Sequence, residues 1–251
     1  MPQLPTSVDG LALFLDFDGT LVDLAPRPDL VHLPEPVRVS LRTLAGLTHG
    51  ALAIVTGRPV LEVDQFLSPL HLPIAGLHGA ERRDSDDVVH RLVVDHKQVE
   101  TMRLAAAELV ESHPGLLLED KGVGIAIHYR LAPEFQKVAR RFAITQVAKR
   151  RSSFAVQPGK MVYEIKPRDM DKGGAVAAFM AEPFFRGKTP VFVGDDLTDE
   201  KGFAAARRLG GLGIKVGDGP TRAQLRLPDV EAMHRWLAFL AAPEVPPNNK
   251  E

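Results

Sequence analysis

LALFLDFDGTLVDL, residues 11–24, runs through five apolar residues and then sets Asp16 and Asp18 two positions apart before a Gly19-Thr20 turn. A continuous apolar run of this length suits a strand buried on both faces, as in a parallel sheet. Two carboxylates a few Å apart raise each other's pKa unless a cation or a shared proton intervenes. The stretch therefore predicts a strand that ends in chemistry, with the compensating positive charge supplied from elsewhere in the chain.

Two more apolar runs end in the same way, ALAIV (51–55) at Thr56 and PVFVG (190–194) at Asp195. Helical patterns follow the first two strands, PVRVSLRTLAGL (36–47) and RPVLEVDQFL (58–67), where Pro59 suits a first helical turn. The order β-α-β predicts an α/β fold with a Rossmann-like parallel sheet. Ligands of such sheets sit beyond the carboxyl ends of the strands, so Asp16, Thr56 and Asp195 are expected to converge on one crevice.

Between these segments the texture changes. KQVETMRLAAAELVES (97–112) and EFQKVARRFAITQVAKR (134–150) read as helices, and each precedes a pair of strands, LLLEDKGVGIAIHYR (116–130) and FAVQPGKMVYEIKP (154–167). Helix, strand pair, helix, strand pair predicts a small α+β domain inserted into the α/β core. The expected organisation is a core from residues 1–94 and 168–242, an insert at 95–167, and a Pro-rich polar tail at 243–251 that is expected to be disordered.

Composition narrows the function classes. The 31 Lys and Arg balance 32 Asp and Glu, leaving no overall basic field of the kind that holds nucleic acid or an anionic membrane, so anion recognition must be local. The chain has no cysteine, which removes disulfides, thiolate metal sites and cysteine nucleophiles and fits a reducing compartment. No basic-then-apolar leader opens the sequence and no run is long enough to span a bilayer, so a soluble cytoplasmic protein is expected. Asp16 to Thr20 is not an EF-hand loop, because Gly19 falls fourth and Arg27 stands at the twelfth position. RGKTP (186–190) is not a P-loop, because Glu182 takes the place of its first glycine.

The acids suit phosphoryl transfer. An Asp carboxylate can attack phosphorus and divide one hard displacement into two easier steps, which is the role read for Asp16. Asp18, turned away by the Gly19 bend, can protonate the departing oxygen and later deprotonate water. An anionic phosphoryl group beside these acids calls for a hard cation with oxygen ligands, and Mg²⁺ fits. GDDLTDE (194–200) offers Asp195 as a distal ligand, with Asp196 and Asp199 as further ligands or as supports behind them. Thr56 and Lys172, the latter opening the helix in DKGGAVAAFM, can hold phosphoryl oxygens, and Thr20 is a candidate substrate contact. Lys166 competes with Lys172, but the glycines of DKGG favour Lys172 by allowing the backbone to approach a phosphate.

DFDGTL, VTGR, DKGGAV and GDDLTDE, in this order, resemble the four motifs of the haloacid dehalogenase-like (HAD) phosphatases, over essentially the whole chain. The resemblance implies Asp16 as nucleophile, Asp18 as general acid and base, and Mg²⁺ held by Asp16, the backbone carbonyl of Asp18, and Asp195. The insert resembles the cap of the subclass acting on small phosphorylated metabolites, which would close over the crevice. Within it, LEDKGVGIAIHYR and VYEIKP, together with GLHGAE in the core, resemble the trehalose-6-phosphate phosphatases. That likeness implies a small-molecule sugar phosphate as substrate and a functional association with a trehalose-phosphate synthase.

Alternation along the insert's strands puts Glu119 with Lys121, His128 with Arg130, and Glu164 with Lys166, opposite an apolar face of Ile125, Ile127 and Tyr129. Such groups match the vicinal hydroxyls of a sugar. The resemblance assigns Glu119, Lys121 and Glu164 to glucose rings, with His128, Arg130 and Lys166 beside them. Arg58 could face phosphate or sugar, and His78 could be a contact or a packed loop residue. A phosphatase for sucrose, glucosylglycerate or mannosylglycerate phosphate would share the core motifs, and a non-catalytic sugar-phosphate sensor or synthase regulatory subunit is the alternative of another class.

Overall fold

The computed structural model describes residues 3–24, 31–159, 161–168 and 170–242, so the expected tail at 243–251 lies outside the described residues. The chain forms two compact units, Leu92–Met170 and the remainder on either side of it.

The first unit carries β1 (Leu11–Leu15), α1 (Glu35–Leu47), β2 (Leu52–Val55), α2 (Val60–Leu67), β3 (Ile74–Gly76), β4 (Glu81–Arg83) and β5 (Val89–Arg91). The second carries α3 (His96–Ser112), β6 (Leu117–Asp120), β7 (Ile125–His128), α4 (Gln136–Ala148), β8 (Phe154–Gly159) and β9 (Val162–Pro167). The chain then completes the first unit with α5 (Lys172–Met180), β10 (Thr189–Gly194), α6 (Glu200–Arg208), β11 (Leu212–Val216), β12 (Leu225–Leu227) and α7 (Val230–Ala241).

In the first unit eight strands lie in the order β12-β11-β10-β1-β2-β3-β4-β5. From β12 to β3 every pair is parallel, and β4 and β5 extend the sheet antiparallel. Period-two alternation sends Leu13 and Leu15 of β1 to one face, where they meet Val37, Leu41 and Leu44 of α1, Val63 of α2 and Trp236 of α7. Ala12 and Phe14 go to the other face, against Val176 and Phe179 of α5 and Phe203 of α6. Burial of each large side chain on these faces stabilises by about 1.5–3 kcal/mol. Both faces being covered explains why β1, β2 and β10 read as unbroken apolar runs.

Three helices start where a carboxylate caps them. Asp95 accepts from the amides of Lys97 and Gln98, Asp171 from Gly174, and Asp229 from Ala232. The helix after β2 opens at Val60 with Pro59 as its cap.

The second unit is an antiparallel sheet in the order β6-β7-β9-β8. Its apolar face, with Ile125, Ile127, Tyr163 and Ile165, packs on Val99, Met102 and Ala106 of α3 and Ala139 and Ala143 of α4. No helix among the described residues is long and apolar enough to cross a membrane.

Candidate active site

Parallel register brings the polar strand ends to one edge of the first unit. Leu15 pairs with Val193 on β10 and with Ile54 on β2, so Asp16, Asp195 and Thr56 emerge one or two residues later beyond adjacent strands. Lys172 reaches the same edge from the first turn of α5, and its Nζ donates to Asp16 Oδ1 at 2.5 Å and Asp199 Oδ1 at 2.6 Å. Ligand atoms of Asp16, Asp195 and Asp199 lie within 4.8 Å of one another. The missing positive charge is therefore supplied in part by Lys172, 156 positions from Asp16.

Burial is the main influence on each of these groups. It raises the Asp16 carboxyl well above the usual range, and Asp199 adds to the rise while Lys172 opposes it. Burial and then Asp199 push Asp195 up to about 6. For Lys172 burial disfavours the charge, but Asp16 and Asp199 on either side outweigh it and hold the ammonium protonated far above neutral pH. Three carboxylates facing one ammonium leave an excess negative charge that a divalent cation would balance. The donors are all hard oxygens, so the residues fit Mg²⁺.

Asp199 is fully buried and both its oxygens are engaged: Oδ1 by Lys172, Oδ2 by the amides of Asp195 (3.0 Å) and Asp196 (2.9 Å). That arrangement braces the Asp195 turn. Asp196 itself is exposed and caps the short turn that follows. Gly19 has φ +77°, and a Cβ on it would lie 2.2 Å from Asp195 Oδ2. The bend after Asp18 thus needs glycine both for its left-handed backbone and for the close approach of the Asp195 carboxylate.

Asp18 is not in the carboxylate cluster. Its side chain receives a two-point ion pair from Arg58, with Nε to Oδ2 and Nη2 to Oδ1, both at 2.7 Å. Arg58 also pairs with Glu62 on α2, and its guanidinium lies over the rings of Phe17 and Phe66 at 5.6 and 5.2 Å. The guanidinium expected on phosphate or sugar is here directed at Asp18. Thr56 is buried and its hydroxyl oxygen accepts the Arg58 amide at 3.1 Å, while the Thr20 hydroxyl points at Asp16 Oδ2 from 3.4 Å. Leu77 and His78 both have left-handed backbones. The His78 ring lies against Gly57, where a Cβ would come within 2.8 Å of it, so His78 packs beside the Thr56 turn.

In the second unit, register aligns Glu119 with Ala126, Ala126 with Glu164, and Glu164 with Gln157, one row across the polar face. Lys121 and His128 both converge on Glu119, at 3.1 and 2.8 Å, and the His128 bond, ahead of the Lys121 charge, lowers its carboxyl to about 2. Glu164 and Lys166 are buried, and Glu164 Oε1 has no hydrogen-bond partner among the described residues. Arg130 is exposed, in the turn beyond β7.

Two groups escape a reading of the sequence. Glu62 enters through Arg58, and Lys215, buried in β11, donates to the main-chain carbonyl of Asp195. A lysine inside the apolar run LGIKV was the one visible sign of the latter.

Comparison with known proteins agrees with this architecture. A trehalose-6-phosphate phosphatase from Escherichia coli K12 is 43% identical over 231 residues, 91% of this chain and 86% of that protein. The crystal structure of a trehalose-6-phosphate phosphatase related protein superposes with a TM-score of 0.72 at 26% identity, covering 92% of this chain and 96% of that one. A phosphatase of the HAD superfamily from Bacteroides thetaiotaomicron shares the fold alone, with a TM-score of 0.60 at 18% identity over 96% and 98% of the two chains. The trehalose-phosphatase family model matches residues 14–231, from β1 into α7 and through every strand-end acid described above, and the chain belongs to that family.

Proposed function

We propose that this protein hydrolyses trehalose 6-phosphate to trehalose and inorganic phosphate through an aspartyl-phosphate on Asp16. The observation that carries the reading is the buried Asp16 carboxylate, held by Lys172 at 2.5 Å and within 4.8 Å of the Asp195 and Asp199 ligand atoms. A carboxylate fixed in this way attacks phosphorus without first shedding a hydration shell.

In the first step a new bond forms between Asp16 and phosphorus, the bond from phosphorus to the sugar oxygen breaks, and Asp18 gives that oxygen a proton. In the second, Asp18 takes a proton from water, whose oxygen displaces Asp16 and releases phosphate. Arg58 orients Asp18 for both transfers. Lys172 and Thr56 hold the phosphoryl oxygens, and Asp199 holds Lys172 and the Asp195 turn. Asp16, Asp195 and the main-chain carbonyl of Asp18 would hold Mg²⁺, which supplies charge neutralisation for the phosphoryl group and its nucleophile.

The polar face of the second unit reads the disaccharide. Glu119, Lys121, His128, Glu164 and Lys166 offer donors and acceptors spaced for vicinal hydroxyls, and the unbonded Glu164 Oε1 supports a role that only a ligand completes.

Phosphate release from trehalose 6-phosphate, sucrose phosphate, glucosylglycerate phosphate and mannosylglycerate phosphate, each with Mg²⁺, tests the assignment. Trehalose 6-phosphate is expected to lead by about 10²-fold or more in kcat/KM, and Asp16→Asn to lose about 10⁴-fold or more in turnover. Equal use of another ester would displace the substrate assignment, and tight binding without phosphate release would make the protein a sensor.

A further inference from the structure

Lys215 is a full charge in an unusual place. It belongs to β11, an interior strand of the parallel sheet, and is only 6% exposed. Residues of such strands are ordinarily apolar, because burying an ammonium without a carboxylate partner is costly. Among the described residues the Lys215 ammonium donates to main-chain carbonyls, those of Asp195 and, at 2.7 Å, Val216. Among the described residues no carboxylate pairs with it.

The backbone around Asp195 is gripped by side chains from both sides. The amides of Asp195 and Asp196 donate to Asp199 Oδ2, and the carbonyl between them accepts from Lys215. One peptide plane is thus held by an anion at its N–H and by a cation at its C=O. Main-chain groups at strand ends are usually satisfied by water or by neighbouring backbone. Here two charged side chains from different elements perform that task at the residue whose carboxylate rests against Gly19, next to Asp16.

We propose that Lys215 is a positioning residue of the active site: its ammonium fixes the Asp195 main chain and thereby aims the Asp195 carboxylate at the divalent cation. The inference rests on the functional reading above, in which Asp195 is a cation ligand. Groups behind a metal ligand commonly change affinity by about 10–100-fold when removed. Coulomb's law alone gives the opposite sign, since deleting a nearby ammonium relieves repulsion of a cation. Positioning and charge are therefore separable by the direction of the effect.

The test is binding of Mn²⁺ to the full chain without substrate, followed by electron paramagnetic resonance, alongside the Mg²⁺ concentration that gives half-maximal phosphate release. Lys215→Met, which keeps the aliphatic stem, is expected to weaken both about tenfold, with kcat at saturating Mg²⁺ changed by less than about threefold. Lys215→Arg, which keeps donors for the carbonyls, is expected to recover most of the loss. If Lys215→Met does not fold, Lys215→Gln retains one donor group and is judged by the same two readouts. Unchanged or tightened cation binding in a folded variant overturns the proposal, even if its unfolding temperature falls, because a packing role alone would do that. Wild-type protein that binds no divalent cation would instead overturn the functional reading of Asp195, and this inference with it.

Discussion

The carboxylate cluster of the first unit and the polar sheet face of the second are both crowded with charge, yet they are built oppositely. In the first, Asp16, Lys172 and Asp199 are buried and linked in a chain of short ion pairs whose partners come from β1, α5 and the turn after β10. In the second, Glu119, Lys121 and His128 are partly exposed and lie close together in one sheet, and buried Glu164 keeps an oxygen without a partner. Reaction chemistry needs groups whose positions are settled before substrate arrives. Recognition of hydroxyls needs groups that still have bonds to make.

The sharpest way to break this contrast is to remove the hub of the buried cluster. Lys172→Met leaves Asp16 and Asp199 facing each other in a low-dielectric site without their cation, and the protein is expected to lose about 3–5 kcal/mol of stability along with its activity. Urea unfolding of the two proteins measures this, and a loss below about 1 kcal/mol would show that the pairing is weaker than its burial implies.

A smaller effect is expected at Glu164. Glu164→Gln removes a charge whose Oε1 has no hydrogen-bond partner among the described residues, so stability should hold or rise while KM for trehalose 6-phosphate increases about tenfold and kcat changes little. Steady-state kinetics beside a melting curve check this, and a drop in stability with unchanged KM would turn Glu164 into a structural group.

The smallest effect concerns Glu119. Its carboxyl is lowered from an ordinary value near 4.5 to about 2. A depressed carboxyl contributes stability that is present above the ordinary value and is lost as pH falls toward the lowered one. Wild type should therefore exceed Glu119→Gln in stability above pH 4.5, with the gap closing between about 4.5 and about 2. Solvent screening of this partly exposed pair keeps the gap below about 1 kcal/mol. A gap that widens in acid would contradict the assignment.

Much of this contrast is legible in the sequence itself. The strands β1, β2 and β10 are legible because both faces are buried, and the polar residue that ends each run marks the sheet edge where the candidate site lies. The strands of the second unit were legible as pairs because one face is apolar and the other is not. By contrast β3, β4 and β5 are three residues each; β5 is the edge strand, where charge is favoured, and Glu81, Arg82, Arg83, His90 and Arg91 on β4 and β5 leave no apolar pattern. Asp16, Asp18, Lys172 and Asp195 stood out by position, but the partners that hold them did not. Arg58 meets Asp18 across 40 positions and Lys215 meets Asp195 across 20, and only tertiary packing determines which way such long side chains turn. For Arg130 the alternation argument runs out, because β7 ends at His128.

The central claim is that phosphorus passes through Asp16, and the direct test is to trap it there. Wild-type protein mixed with trehalose 6-phosphate and Mg²⁺, quenched in acid during turnover and digested, should yield a peptide phosphorylated at Asp16, because the aspartyl-phosphate must form before Asp18 activates the water that breaks it. Phosphate release with no phosphoryl group on that peptide, or with one on a different residue, would contradict the account.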